Sequence, residues 1–414
     1  MRKYLLKISA IAAASGLQII FLAVLSLVLA KIMSVDAFGV TRTVTAYIIV
    51  LTMMGHFCLH DAVAAYVAGA KVEEEKIAYV VNGSYQVVVI SLVVTMVAEL
   101  VVYFSGIWDG DLKKALFLTI LFLPAVSLTI VYTSLLQAIG SYRKFTVSLI
   151  MGGLIPLAFM APPAWQWGLD GWILGRNAAS IILLAFTFYM VRHWFKVDKI
   201  NRQVSWKLLA FAKVQFISGV LSMLMQSADI IALERLSGNM SQVAVYGLAA
   251  LFAKSVMFFP GAIGRVYFKD IAESSAEGSK VWKLVDHLLL VTTIICIMVA
   301  VILYIVVPII IDALYHDRYS GSIPVLKIMC IGITFNGIWA ALSVVNTAMK
   351  QPRIAVIMSI TGFVSSFILL VILIPKFDAV GAAWAMNVGY FSGSMMGLWL
   401  LFLIRKRPVN VIIE

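Results

Sequence analysis

Charged residues are scarce in this chain. Asp, Glu, Lys and Arg together make up 13% of its 414 residues, about half the share found in an average soluble domain, whereas 62% of the residues are hydrophobic. A water-soluble fold of this length has too little interior to hide so much apolar surface. The sequence therefore predicts that lipid surrounds most of the chain.

Motifs that carry chemistry are also missing. The chain has no G-x-x-x-x-G-K-[ST] phosphate-binding loop, which excludes an ATP-driven pump within it. No Ser/His/Asp or zinc-binding constellation stands on a loop. A polysaccharide polymerase would need a substantial outer loop bearing Arg and His, and the outer loops of this chain are short. We therefore expect no catalytic residues and no cofactor.

Metal-ligating residues are few and poorly spaced. His56 and His60 are four residues apart on one helix face, beside Asp61, but the stretch HFCLHD lacks the glutamate of a zinc-binding H-E-x-x-H motif. Polar packing or proton coupling is favoured over a metal site, and we expect none. The only cysteines lie in apolar runs, where buried thiols are expected: Cys58, Cys296 and Cys330.

The net charge of +12 indicates membrane orientation rather than a nucleic-acid partner. Nucleic-acid binding would require the basic residues to cluster on an exposed face. Here they lie at the ends of apolar runs, and most of the 32 Lys and Arg residues fall at the two termini and in alternate loops. Because positive residues are retained on the inner side, both termini are predicted to be cytoplasmic.

Twelve apolar runs are long enough to cross a bilayer as helices. The first could be mistaken for a secretory signal, but its uncharged stretch continues for 23 residues, from Ile8 to Ala30, so we interpret it as a retained helix. The longest connection, 192–213, separates a first lobe, 1–191, from a second lobe, 214–414. The predicted spans are 8–30, 43–70, 77–104, 115–139, 145–167, 171–191, 214–233, 243–264, 288–311, 322–349, 354–375 and 379–404.

The two halves repeat one another at a slowly drifting offset. Ser15-Gly16 recurs 203 residues later, FGV at 38–40 recurs as YGL 208 residues later, and the turn at 137–145 recurs 209 residues later. Gly171 and Asn177 recur at an offset of 210 as Gly381 and Asn387. These matches predict an all-α polytopic protein of about twelve helices in two parallel six-helix lobes with a central cavity.

Several stretches resemble the Wzx-type polysaccharide flippases, of the superfamily that includes the MATE exporters and the lipid II flippase MurJ. They are AFGVTRTVTAYIIVLTMMG, LLQAIGSYRKF, SADIIALERLSGNMSQVAVYGLAALFA and LIPKFDAVGAAWAMNVGYF. The resemblance implies a MATE-like fold of two lobes. It also implies movement of an undecaprenyl-diphosphate-linked oligosaccharide (for O-antigen, capsule or exopolysaccharide) across the bacterial inner membrane. A polymerase and a chain-length regulator would be its partners.

A diphosphate substrate needs positive charge inside the membrane. Ionisable residues within spans are costly and usually face a cavity. Arg176 either snorkels to the headgroups or contacts the diphosphate, for which a planar guanidinium is well suited. Lys254 lies near the middle of its span and either faces the cavity or pairs with an acid such as Asp229. Arg42 opens its span, where an interfacial role competes with a site role.

Acidic residues within spans are candidates for ion coupling or structure. Asp229 either forms a structural ion pair or binds a proton or Na⁺, because a buried carboxylate needs a cation. Asp61 and Glu99 are further candidates, although Glu99 is close enough to the end of its span to reach the headgroups. If these acids instead form a compact drug site, the chain is a cation-coupled MATE-type exporter, which is the alternative function.

Overall fold

A computed structural model describes residues 2–195, 200–256, 258–274, 278–349 and 351–405. These residues form helices joined by short connections, without a β-strand among them. The helices are α1 (Arg2–Ile32), α2 (Val35–His56), α3 (Leu59–Gly69), α4 (Glu73–Phe104), α5 (Gly110–Ile120), α6 (Leu123–Ala138), α7 (Tyr142–Val191), α8 (Arg202–Ser237), α9 (Met240–Ser255), α10 (Phe258–Glu273), α11 (Gly278–Tyr315), α12 (Ser322–Ala348) and α13 (Pro352–Arg405).

Helix α4 shows that lipid is the solvent of this protein. It buries the polar side chains of Asn82 and Ser91, while Leu92, Met96 and Leu100 are 50–60% exposed. A helix in water buries its apolar stripe and exposes its polar face. The reversed pattern places the apolar face in hydrocarbon, as the composition predicted.

Seven of the described helices are long and apolar enough to cross a membrane by themselves, or eight if α5 and α6, bent by 50°, count as one span. Two of the seven contain an internal kink: α7 at Trp167–Gly168 and α13 at Asp378. Both kinks fall between two predicted spans. The all-helical, multi-span fold is therefore confirmed, whereas the count of twelve spans stays a prediction.

The two kinks have matching geometry at an offset of 210 residues. Gly168 adopts φ 56° and ψ −127°, and Asp378 adopts φ 46° and ψ −126°. Three residues after each kink is a glycine at which a Cβ would collide with a backbone carbonyl eight residues earlier. Gly171 meets Pro163 in this way, and Gly381 meets Leu373. A glycine is therefore needed where the two arms of each helical hairpin approach each other.

A matching hydrogen bond follows each glycine. The Asn177 side-chain amide donates to the Leu118 carbonyl at 3.1 Å, and the Asn387 amide donates to the Ile328 carbonyl at 2.6 Å. In both cases the acceptor lies 59 residues before the donor. The shared kink, glycine and amide bond support the predicted internal repeat, which itself stays a prediction.

Three predicted spans are broken rather than continuous. The second is divided between α2 and α3 by Phe57 and Cys58, which both adopt the left-handed backbone conformation, with φ 48° and 53°. The fourth bends between α5 and α6. In the eighth, α9 ends at Ser255 and α10 begins at Phe258, so Pro260 lies in the first turn of α10, where a proline costs no hydrogen bond.

Contacts divide the chain into two compact units, Met1–Ser227 and Ala228–Glu414. The first unit has a core in which Leu208 of α8 packs with residues of α3, α4 and α6. Asn82 accepts hydrogen bonds from the backbone of Asn201 at 2.8 Å and from the hydroxyl of Ser205 at 3.0 Å. The start of α8 therefore belongs with the first unit, although it lies within the predicted linker.

The second unit has its own core, formed by α10, α11, α12 and α13. Leu288, Ala341, Leu342 and Val345 are each fully buried there. The division falls after 227, further along the chain than the hydropathy boundary of 213. The lobe boundaries 1–191, 192–213 and 214–414 describe predicted membrane spans and stay predictions.

Candidate functional site

In the first unit, the second arm of α7 positions Arg176. Gly175 allows this arm to pass close to the first, because a Cβ there would collide with the Phe159 carbonyl. Trp172, one turn before Arg176, is 1% exposed and anchors the arm in the core. The Arg176 Cζ atom lies 5.3 Å from the centre of the Trp172 ring. Its Nη1 donates to the hydroxyl of Thr45 on α2 at 3.1 Å.

The partners of Arg176 are electrically neutral. Within the ranges that the structure describes, its guanidinium contacts a tryptophan ring and a threonine hydroxyl but pairs with no carboxylate. The side chain is half-buried, so part of it remains accessible. A guanidinium in a membrane span without a neutralising acid favours a nearby anion. Its planar geometry suits two phosphate oxygens.

Arg42 lies on the same helix as Thr45, three residues earlier. Residues three positions apart share one face of a helix. Arg42 therefore lies on the same face of α2 as Thr45, the residue that accepts the hydrogen bond from Arg176. Arg42 is half-buried, and its Nε is buried. The first unit therefore brings two of the predicted cationic residues to one helix face.

In the second unit, Asp229 of α8 and Lys254 of α9 form an ion pair, with 2.7 Å between Nζ and Oδ2. The Tyr246 hydroxyl donates to the same Oδ2 atom at 2.7 Å. The backbone amide of Ile230 donates to Oδ1 at 2.9 Å. The Asp229 side chain is 0% exposed, and that of Lys254 is 31% exposed. The sequence left two roles open for Lys254, a cavity-facing cation or a partner of an acid. The structure shows the ion pair with Asp229, and part of the Lys254 side chain remains accessible.

A small cavity of about 30 Å³ adjoins this pair. Its lining includes Asp229 and Lys254, and its remaining walls come from α9, α12 and α13, with Asn387 and Tyr390 as the polar residues of α13. One molecule of liquid water occupies about the same volume. The cavity can therefore hold a water or a small ion but not a diphosphate.

Asp61 and the two histidines lie at the break between α2 and α3. The His60 Nε2 atom is 3.4 Å from an Asp61 oxygen, and the Asp61 side chain is 53% exposed. The His56 and His60 rings are 4.5 Å apart, and the His56 Nδ1 atom accepts the backbone amide of Cys58 at 3.2 Å. This bond stabilises the break, which indicates a structural role for His56.

Glu99 turns its carboxylate inward. Both of its oxygens are buried, and neither has a hydrogen-bond donor within the described part of the chain. Such a carboxylate can hold a proton or a small cation, so an ion-coupling role stays a prediction.

Across the described residues, no three His, Cys, Asp or Glu side chains come together in a way that could hold a metal ion.

Sequence reasoning missed Tyr246, Thr45 and Trp172. The contact between Trp172 and Arg176 could have been predicted, because residues four positions apart share a helix face. Nothing in the sequence links Tyr246 to Asp229 or Thr45 to Arg176, since these contacts depend on how different helices pack. The site residues themselves stay predictions, and the geometry shows which of them are held together.

Ionisable residues inside the spans of an all-helical membrane protein are typical of multi-span membrane transporters. The chain belongs to the family described as polysaccharide biosynthesis protein, whose model matches residues 5–268. A Shigella flexneri protein described as an O-antigen transporter is 22% identical over 306 residues, which cover 72% of this chain and 71% of the relative. This family membership confirms the predicted resemblance.

Two solved structures show the same fold. The inward closed conformation of the lipid II flippase MurJ matches with a TM-score of 0.78 and 15% identity, over 97% of this chain and 88% of that one. An inward-facing multidrug resistance MATE transporter matches with a TM-score of 0.73 and 11% identity, over 95% of both chains. The relatives are transporters and flippases rather than enzymes, in agreement with the prediction.

Proposed function

We propose that this protein moves an undecaprenyl-diphosphate-linked oligosaccharide from the cytoplasmic to the outer leaflet of the bacterial inner membrane by alternating access. The observation that carries the proposal is Arg176, a guanidinium in a membrane span whose described partners are all neutral. Arg42 lies three residues before Thr45 on α2, and the Lys254 side chain in the second unit stays 31% exposed while it pairs with Asp229. The positive charge of Arg176 suits a diphosphate and disfavours a cationic drug.

The family supports the substrate class. The chain belongs to the polysaccharide biosynthesis protein family, and a relative is described as an O-antigen transporter. The sugar polymer is O-antigen, capsule or exopolysaccharide in this proposal. A polymerase and a chain-length regulator would act on the translocated unit, and a proton or Na⁺ is the proposed coupling ion.

Deletion of the gene tests this function. Lipid-linked oligosaccharide is expected to accumulate on the cytoplasmic leaflet, and the surface polymer is expected to disappear, because a charged sugar head does not cross hydrocarbon unaided. Leaflet-specific labelling of the oligosaccharide and staining of the surface polymer measure the two effects. Complementation with the intact gene is the control. Persistent polymer with increased sensitivity to cationic dyes would instead favour the MATE-type exporter.

The proposed orientation has a separate test. Reporter fusions at the C-terminus and in five internal segments are expected to report the cytoplasm, because the positive residues concentrate there. The segments are 71–76, 140–144, 192–213, 267–283 and 350–353. Fusions near Gly106 and Asp378 are expected to report the outer side and serve as opposite controls. Two or more segments on the wrong side would reject both the orientation and the parallel repeat.

A further inference from the structure

An apolar groove opens on the surface of the first unit. It has a volume of about 410 Å³, and its walls come from α2, α4, α5 and Trp108 in the connection between α4 and α5. Within the described part of the chain, every side chain that lines it is hydrophobic or aromatic. Val93, Val97 and Val101 of α4 are 46–51% exposed along it. Because an apolar groove at membrane depth gives water no hydrogen-bond partner, a lipid chain fills it.

The groove is about as deep as one leaflet of a membrane. Its wall on α4 runs from Val93 to Val102, which lie about 13 Å apart along the helix axis. One leaflet accounts for about 15 Å of a hydrocarbon core about 30 Å thick. The groove therefore extends from the end of α4 towards the middle of the membrane. The acyl chain of a phospholipid stays within one leaflet and matches this depth, whereas an undecaprenyl tail is much longer.

A lysine lies at the end of the groove that contains Trp108. Lys113 comes three residues before Leu116, a lining residue of α5, so both are on the same face of that helix. The Lys113 Nζ atom donates to the Tyr103 carbonyl at 3.2 Å and lies 5.6 Å from the centre of the Tyr103 ring. Across the described residues it forms no ion pair with a carboxylate. Its charge is therefore available to an anion at this end of the groove.

Carboxylates lie close to the same end of the groove along the chain. Asp109 directly follows Trp108 and is exposed. Asp111 is exposed as well, whereas Lys114 is paired with Asp170. This end of the groove therefore combines an ammonium with carboxylates rather than presenting a purely positive surface. A zwitterionic headgroup, with one phosphate and one ammonium, complements this pattern better than a purely anionic headgroup.

We propose that this groove binds one phosphatidylethanolamine molecule. One acyl chain lies between α2, α4 and α5, and the other stays in the bilayer. The phosphate group contacts the Lys113 ammonium, and the ammonium of the ethanolamine contacts the Asp109 carboxylate. In the proposed orientation this lipid belongs to the outer leaflet. The site goes beyond the proposed function, because the lipid is not the transported substrate.

The bound chain is a packing partner of α2. Tyr47 and Met54 of α2 line the groove, whereas Thr45, which accepts the hydrogen bond from Arg176, lies two residues before Tyr47. Residues two positions apart are on different faces of a helix. The acyl chain therefore packs against one face of α2 while the guanidinium contacts another. The phospholipid and the proposed diphosphate substrate occupy separate sites.

The experiment uses the purified full-length protein in detergent, to which phosphatidylethanolamine or phosphatidylglycerol with the same acyl chains is added. Native mass spectrometry counts the bound lipid molecules and gives a dissociation constant for each. Val97→Trp and Val101→Trp each fill the groove. Met96→Trp is the matched control, because Met96 is a neighbouring residue of α4 that is 60% exposed and lies outside the groove lining. The midpoint of thermal unfolding shows that each variant is folded.

The wild type is expected to bind the first phosphatidylethanolamine molecule about tenfold more tightly than the next ones, because only the first enters the groove. Val97→Trp and Val101→Trp are expected to lose this tight binding, since the indole ring occupies the space of the acyl chain. Met96→Trp is expected to keep it.

The headgroup contacts have their own variants. Lys113→Ala is expected to weaken the first binding of both lipids by about tenfold, because a contact between ammonium and phosphate is charge-assisted. Asp109→Asn is expected to weaken phosphatidylethanolamine alone, since phosphatidylglycerol has no ammonium group. Lys114→Ala is the matched control for Lys113→Ala, because Lys114 already pairs with Asp170, and it is expected to leave both affinities unchanged.

Equal dissociation constants for the first and later lipids in the wild type would overturn the inference, as would tight binding that persists in both filling variants. Equal affinity for the two phospholipids, or unchanged affinity in Lys113→Ala, would reject the headgroup contacts and with them a phosphatidylethanolamine site. Displacement of the bound phospholipid by an equal concentration of undecaprenyl phosphate would assign the groove to the tail of a transported lipid instead. None of these results alters the proposed function, which the gene deletion tests separately.

Discussion

Lys254→Ala is expected to deplete folded protein from the membrane. The substitution leaves the Asp229 carboxylate, which is 0% exposed, without its cation. Removing one partner of a buried ion pair costs about 3–5 kcal/mol, a large part of the stability of a typical domain. Membrane protein level and the midpoint of thermal unfolding in detergent measure this effect.

The double variant Lys254→Ala with Asp229→Ala separates folding from transport. It is expected to recover much of the lost protein level, because no uncompensated buried charge remains. It is not expected to recover transport, because the ammonium that meets the diphosphate is absent. Lys254→Arg keeps the charge and is expected to retain partial activity.

Lys114→Ala is the matched control for this effect. Lys114 pairs with Asp170 at the same 2.7 Å distance, but the two side chains are 50% and 62% exposed. An exposed pair contributes about 0–1 kcal/mol, so protein level should barely change. Normal surface polymer in a well-expressed Lys254→Ala protein would show that Lys254 is not part of the site. Poor expression of the double variant would show that the unpaired Asp229 carboxylate is not the cause of the instability.

Arg176→Ala is expected to lower diphosphate affinity by about ten- to a hundredfold, since a charge-assisted contact contributes about 1.5–3 kcal/mol. Protein level is expected to stay close to that of the wild type, because the described partners Thr45 and Trp172 are neutral and no carboxylate is left without its partner. Arg176→Lys keeps the charge but loses the planar, two-pronged geometry, so it should recover only part of the affinity.

Arg192→Ala provides the matched control for Arg176. The Arg192 guanidinium also lies over an aromatic ring, that of Tyr189, at 4.4 Å, but it is exposed and follows the end of α7. Its removal takes away the same type of contact without changing the charge inside the span. Equal loss of surface polymer in both variants would contradict a specific role for Arg176, as would normal polymer in a well-expressed Arg176→Ala protein.

The hairpin kinks show how far sequence reasoning reaches. Gly168 is a residue that accepts a positive φ without strain, so a turn between the fifth and sixth spans can be anticipated. Asp378 takes the same conformation with a Cβ, in a stretch that also contains Pro375. The break at Phe57 and Cys58 carries neither glycine nor proline. Tertiary packing imposes a left-handed conformation there that no local pattern announces.

The candidate site also has residues that the sequence reveals and residues that only the fold reveals. Arg176, Lys254 and Asp229 stand out in the sequence because ionisable residues within apolar runs are rare and costly. Their partners do not stand out, because hydroxyl and aromatic side chains such as Thr45 and Tyr246 are common in membrane helices. Which of them meets a charge is decided by the rotation and crossing of whole helices.

By itself the sequence determined that this is an all-helical, multi-span membrane protein, because the scarcity of charge and the length of its apolar runs leave no other way to satisfy the backbone. The family resemblance followed from motifs distributed along the chain. Only the tertiary structure decided that Lys254 is paired with Asp229 while Arg176 meets a hydroxyl and an aromatic ring. Hydropathy specifies which segments enter the membrane, whereas contacts between distant helices depend on side-chain packing that no single segment contains.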